Sequence, residues 1–162
     1  MNSEINLILV KLGKEIYGLC VDNIYRIVSF ENIKKVPNTP EFITGIIKIE
    51  EKIIPVIDLI KKYNLGLLES EKNTCIVILQ LENDEDKEEI YVGLIVNEVL
   101  DLIEVDYNKI LPVPIIEKDN NKNGLFSGAI DYESNLILII TPNGILNQKE
   151  MNIIKNILKS KK

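Results

Sequence analysis

Residues 45–59, Gly45-Ile46-Ile47-Lys48-Ile49-Glu50-Glu51-Lys52-Ile53-Ile54-Pro55-Val56-Ile57-Asp58-Leu59, read as two apolar strands that reverse at a charged Glu-Glu-Lys tip. The β-branched runs on either side are short, continuous and bounded by Gly45 and Asp58, which predicts a hairpin with little polar face. Pro55 lies inside the second run and cannot donate a ladder hydrogen bond, so that strand is expected at an edge, a bend or a barrel corner.

Upstream, residues 6–12 and 16–20 predict two strands joined by a turn at Gly13-Lys14-Glu15. Val21, Ile24 and Ile27 then recur every third residue. That spacing sets an apolar stripe on a helical turn or a twisted extended segment, with plain core as the alternative reading. Residues 33–36 suggest a further short strand before Pro37-Asn38-Thr39-Pro40, which is turn chemistry. Downstream, Asp58 is placed to cap a helical turn reaching Tyr63, and strands are expected at 74–81, 90–96 and 99–105. A second hairpin is expected from 125–130 and 136–140. Residues 82–89 read as solvated loop and 117–123 as a mobile one. Met151, Ile154, Ile157 and Leu158 have the spacing of a terminal amphipathic helix.

The two halves repeat one another. Tyr17-Gly18-Leu19 answers to Val92-Gly93-Leu94, Val36-Pro37 to Val113-Pro114, and Phe42-Ile43-Thr44-Gly45 to Leu125-Phe126-Ser127-Gly128. The separations, 75 from Gly18 to Gly93, 77 from Pro37 to Pro114 and 83 from Gly45 to Gly128, grow slowly, as loop insertions in a duplicated unit would make them. Two related small β-barrels side by side, with the last helix packed across them, follow from that pattern.

With 162 residues, 46% hydrophobic but only 6% aromatic and no Trp, the core has to be built from Ile, Leu and Val, which favours sheet. A net charge of −6 argues against nucleic acid as a partner, since phosphate neutralisation needs a basic face. Cys20 and Cys75 sit far apart in apolar runs and outside any CxxC spacing, so buried, reduced thiols in a cytoplasmic protein are expected. No signal peptide and no apolar run approaching the roughly 20 residues of a membrane span is visible.

There is no histidine, which removes Ser-His and Cys-His nucleophile pairs and the usual zinc sites. The eight glycines form no dinucleotide or phosphate-binding loop. Ser127, in Leu-Phe-Ser-Gly-Ala, lacks the first glycine of a nucleophile elbow, and Asp58 is explained as a helix cap without invoking a general base. The chain is therefore expected to be a binding protein with no catalytic residue, metal or cofactor.

Three blocks carry a resemblance: Leu-Gly-Lys-Glu-Ile-Tyr-Gly-Leu at 12–19, Val-Pro-Asn-Thr-Pro-Glu-Phe-Ile-Thr-Gly-Ile-Ile at 36–47, and Ile-Ile-Pro-Val-Ile-Asp-Leu at 53–59. They resemble the signature blocks of the CheW family of bacterial chemotaxis coupling proteins, and Tyr91-Val92-Gly93-Leu94-Ile95-Val96 and Leu136-Ile137-Leu138 extend the likeness. The resemblance implies one CheW-like domain over 1–162, mainly β, with two tandem SH3-like five-stranded barrels at about 14–72 and 73–147 and a C-terminal helix at 148–159.

It also implies a cytoplasmic adaptor without direct membrane insertion, joined through its partners to receptor arrays. Those partners are the tip of chemoreceptors and the regulatory domain of the histidine kinase CheA. Carried over by motif, the receptor groove holds Ile8, Val21, Ile24, Ile27, Gly45, Val99 and Leu100, and the kinase contact Phe30 and Ile33. Where the family has Asn-Leu-Arg-Gly this chain has Lys48-Ile49-Glu50-Glu51, and Arg26, the only arginine, stands where the family is usually acidic. Arg26 and Glu50 are therefore expected to face each other as a charge-swapped ion pair, and Glu51 removes a turn glycine. A divergent paralogue serving another CheA-like pathway, such as surface motility, is an alternative reading. So is a small-ligand protein using the inter-barrel cleft. A CheV-type fusion to a receiver domain is not expected in 162 residues.

Overall fold

In the computed structural model, residues 3–66, 72–82, 89–114 and 124–160 are described. The stretch that predicts the hairpin forms β4 (Ile43–Ile49) and β5 (Lys52–Ile57), paired with Ile49 opposite Lys52 and a two-residue tip between them. Glu50 takes the left-handed backbone of that tip at φ 56°, so the tight turn persists without a glycine. Ahead of the hairpin run β1 (Glu4–Leu12), β2 (Glu15–Cys20) and β3 (Ile24–Ser29); after it come α1 (Leu59–Tyr63), β6 (Cys75–Glu82), β7 (Glu89–Val96) and β8 (Glu98–Asp106). The fold ends with β9 (Phe126–Tyr132), β10 (Asn135–Ile140) and α2 (Gln148–Ser160). Of the loops expected at 82–89 and 117–123, residues 83–88 and 117–123 lie outside the described residues, while Glu82 ends β6 and Glu89 begins β7 rather than lying in a loop.

The strands make two five-stranded sheets, β3-β6-β7-β5-β4 and β8-β1-β2-β10-β9, called here barrel I and barrel II. Their composition corrects the expected tandem order of barrels at 14–72 and 73–147. Each barrel takes two strands from one half of the chain and three from the other, so the halves are reciprocally exchanged. Hydrophobic pattern marks which residues face inward but carries no information on which distant strand completes the sheet.

Pro55 requires a second correction, because β5 lies inside its sheet, between β7 and β4. The reading holds locally: β7 pairs only with Val56 and Ile57, so the half of β5 that contains Pro55 has one neighbour and no unmet donor is created there.

The duplication extends to hydrogen bonds. Barrel I closes where Lys34 and Ile46 exchange two 2.8 Å backbone bonds, and barrel II where Leu111 and Ala129 do the same at 2.8 and 2.9 Å. The backbone N–H of Asp58 donates to Phe42 O at 2.7 Å, as that of Thr141 does to Leu125 O. Asp58 caps α1 by accepting from Lys61 N at 3.0 Å.

Leu7, Leu9, Ile130, Ile137 and Ile139 fill barrel II, and six Ile or Val side chains, among them Ile54, Ile76 and Ile78, fill barrel I. A third and larger cluster is shared between the barrels: Val10, Leu12 and Leu19 from one meet Val77, Leu79 and Val92 from the other, and Met151, Ile154 and Ile157 of α2 pack onto both. α2 is started by a reciprocal capping box in which Asn147 Oδ1 accepts from Glu150 N at 2.8 Å and Glu150 Oε1 from Asn147 N at 2.9 Å. Both cysteines are unpaired, and they are half-buried rather than fully buried. Burial holds the Cys75 thiol above its usual pKa. Among the described residues no helix is long and apolar enough to cross a membrane.

Candidate docking surface between the barrels

An extended strand places residues three apart on opposite faces, which would split Ile24 from Ile27. A bulge in β3 prevents this. Ile24 pairs with Leu79, Arg26 with Ile78 and Ile27 with Val77, so Tyr25 is the extra residue and the two isoleucines fall opposite residues two apart on β6. Leu79 and Val77 both face the shared core, so Ile24 and Ile27 lie on that face of the sheet, with Ile24 packed against the core and Ile27 reaching out to solvent.

The same device recurs in β8. Val10 pairs with Val99, Leu9 with Asp101 and Ile8 with Leu102, leaving Leu100 as the extra residue. Val99 and Leu102 therefore share a face, opposite Val10 and Ile8. Both bulges are 75 positions apart, matching Tyr25 to Leu100, Ile24 to Val99 and Ile27 to Leu102.

Each bulged strand thus places aliphatic side chains on the face of its sheet that adjoins the shared core. Ile8, Ile24 and Val99 are half-buried and pack against the shared core. Ile27 and Leu100, each 41% exposed, and Leu102, 63% exposed, carry apolar surface out to solvent. Val21 lies half-buried in the three-residue turn, Val21–Asn23, by which the chain crosses from β2 to β3. Leu102 was missed in the sequence reading, although the 75-residue repeat from Ile27 points to it.

Gly45, Phe30 and Ile33 belong to a different region. A Cβ on Gly45 would collide with Lys34 O and stand 2.8 Å from Ile33 Cγ2, so this glycine admits the strand crossing that closes barrel I. Its counterpart Gly128 does the same under Ile110 and Leu111. Phe30 and Ile33 are half-buried against the barrel I interior.

Arg26 Nη2 lies 2.7 Å from Glu50 Oε1, with side chains 44% and 54% exposed. In barrel II the equivalent of Arg26 is Asp101, whose Oδ2 accepts a 3.2 Å hydrogen bond from Tyr132 OH at the end of β9. Desolvation and that bond to Asp101, with the nearby Glu133 charge, raise the Tyr132 pKa. Among the described residues no group of three His, Cys, Asp or Glu side chains is placed to hold a metal ion.

Residues 6–150 match the family model described as "CheW-like domain". The chain is 28% identical over 102 residues to "Chemotaxis protein CheW" of Treponema pallidum, covering 60% of this chain and 56% of that protein. It is 29% identical over 72 residues to the protein of the same name from Klebsiella aerogenes, covering 44% and 43%. The chain thus spans about half the length of these two relatives. Among solved structures, "scaffolding protein TtCheW" of Thermoanaerobacter tengcongensis superposes with a TM-score of 0.77 at 31% identity, covering 93% of this chain and 92% of that one.

Proposed function

The chain belongs to the CheW-like domain family, and on that premise we propose that it is a non-catalytic chemotaxis adaptor that couples chemoreceptors to the histidine kinase CheA. One observation carries the receptor side of this reading. Two β-bulges turn Ile27 of barrel I and Leu102 of barrel II onto the faces of their sheets that carry the half-buried Ile24 and Val99, and both side chains stay exposed there. An amphipathic helix needs such an exposed aliphatic surface, because burial of its apolar face supplies the affinity. The kinase's regulatory domain is assigned to barrel I near Phe30 and Ile33, whose half-burial leaves part of each side chain available. The protein would then work in the cytoplasm and reach the membrane only through its partners.

The test is titration calorimetry of the purified chain against the regulatory domain of a CheA from the same organism and, separately, a receptor cytoplasmic fragment. Ile27→Asp and Leu102→Asp are the informative variants; Ile24 packs against the shared core, so Ile24→Asp would confuse lost binding with lost folding. Loss of receptor binding with kinase binding retained supports these faces as the receptor site. Unchanged receptor affinity in both variants refutes it.

A second reading has its own support. The Arg26–Glu50 pair has the polarity opposite to the one the family resemblance implies. A divergent paralogue serving another CheA-like pathway would bind a kinase but none of the chemoreceptors, and the same titrations separate the two.

A further inference from the structure

Beyond Leu102 the aliphatic face of barrel II changes character. Past the bulge β1 and β8 pair without interruption, Ile8 opposite Leu102, Asn6 opposite Glu104 and Glu4 opposite Asp106. Alternate residues of a strand share a face, so Asn6, Glu104, Glu4 and Asp106 continue the row that Ile8 and Leu102 begin. The intervening Ile5, Leu7, Ile103 and Val105 turn the other way and pack in the interior of barrel II. The exposed aliphatic surface therefore runs straight into a patch of carboxylates.

Those carboxylates are not consumed by the fold. Among the described residues Glu4 and Glu104 make no hydrogen bond or ion pair. Asp106 accepts from Asn108 N with Oδ1 at 2.9 Å, which leaves its second oxygen open. The hollow at this end of barrel II is lined by Glu4, Glu104, Asp106 and Asp131 against a single cation, Lys109. In the matching strand pair of barrel I, the step beyond Ile27 is Ser29 opposite Cys75, both uncharged, so a bulged pair of this kind forms without acids at that place.

We propose that this face of barrel II takes an amphipathic helix of a partner protein that carries cationic side chains one and two turns beyond its apolar anchor. The inference rests on the reading that a partner helix covers Leu102, and it adds the charge that helix carries and the end at which it carries it. Strand geometry sets the spacing. Same-face positions on a strand follow one another at about 6.6–6.8 Å, and residues i, i+4 and i+8 of a helix advance by about 6 Å at each step. A helix laid along β8 with an apolar residue over Leu102 thus brings its i+4 side chain over Glu104 and its i+8 side chain over Asp106. Lysine or arginine at those places meets open carboxylates, whereas glutamate or aspartate meets like charge on a chain whose net charge is −6. Apolar burial supplies the affinity, and the charges select the helix and fix which way it lies.

The test is a two-dimensional NMR titration of the full chain with two capped helical peptides that share one leucine stripe and differ only in having lysines or glutamates at the two places beyond it. The receptor cytoplasmic fragment is titrated beside them. The lysine peptide should give saturable shifts centred on Ile8, Leu102 and Glu104, and the glutamate peptide should bind about tenfold more weakly. That preference should shrink in the double variant Glu4→Gln with Glu104→Gln and at high salt. Both positions are exposed, and thermal unfolding confirms that the variant is folded. Equal affinity for the two peptides, a preference unchanged in the double variant, or shifts centred elsewhere on the chain would each overturn the proposal; a receptor fragment that still binds in that case leaves the adaptor reading standing. A receptor fragment that fails to bind, beside a lysine peptide that binds with the expected preference, supports the cationic-helix surface and removes the receptor from the adaptor reading.

Discussion

Arg26 Nη2 and Glu50 Oε1, 2.7 Å apart, join the two edge strands of barrel I: one residue follows the bulge of β3 and the other turns the hairpin from β4 to β5. Barrel II does the same job between β8 and β9 with the Asp101–Tyr132 hydrogen bond. Two chemistries have thus come to occupy one duplicated closure.

Because both partners are substantially exposed, each single reversal, Arg26→Glu or Glu50→Arg, should cost only about 0–1 kcal/mol. The double reversal should recover most of that loss. Four-cornered urea unfolding measures the coupling, which should shrink at high salt. Zero coupling at low salt would show that the contact contributes nothing.

A much larger effect is expected at Lys62. Its ammonium lies 2.7 Å from Glu150 Oε1, donates to Ile145 O and faces the rings of Phe42 and Tyr63, each at 5.1 Å. Only 7% of the Lys62 side chain and 14% of Glu150 are exposed, so Lys62→Ala strands a carboxylate and should cost about 3–5 kcal/mol. Lys62→Met combined with Glu150→Gln should be far milder. Equal losses in the single and the double variant would mean that packing, not charge, holds α2 in place.

Gly45→Ala and Gly128→Ala should each destabilise by about 2–3 kcal/mol, since their Cβ atoms would drive into the segments that close the two barrels. Gly18→Ala is the control: its Cβ would meet nothing closer than Leu7 Cδ1 at 3.4 Å, so it should stay within about 1 kcal/mol of the native protein. Chemical unfolding of the three variants ranks them directly.

Alkaline pH should weaken the fold through Tyr17 and Tyr132. Burial, then the Glu15 charge, raises the Tyr17 pKa, and Tyr132 is raised as described above. A raised folded-state pKa means that the contribution is complete below the unfolded value of about 10 and is lost as pH climbs through the folded value. Ultraviolet difference titration should find both ionising above the ordinary tyrosine value. Asp101→Asn should bring Tyr132 back towards the ordinary value; an unchanged titration would contradict the hydrogen bond as a cause.

Much of the site was legible in pieces. Ile24 and Ile27 were visible as a three-residue stripe, but that spacing suits a helix, and a bulged strand was needed to put both on one face. The Arg26–Glu50 contact was legible because two unusual charges stand out against a family pattern. Lys62 and Glu150 were silent, since no local pattern connects residues so far apart in the chain.

What the sequence determined by itself was the local and the repeated: alternating apolar runs, turn residues at Gly13 and Glu50, a cap at Asp58, and a duplicated unit with glycines at matching places. Those features follow from backbone sterics and periodicity, which act over a few residues. Only the tertiary structure decided that β1 and β2 complete the barrel of β8, β9 and β10 while β6 and β7 complete the other. That exchange joins the barrels through one shared apolar core, and the choice of strand partner depends on burial summed over the whole molecule, to which no single stretch of sequence has access.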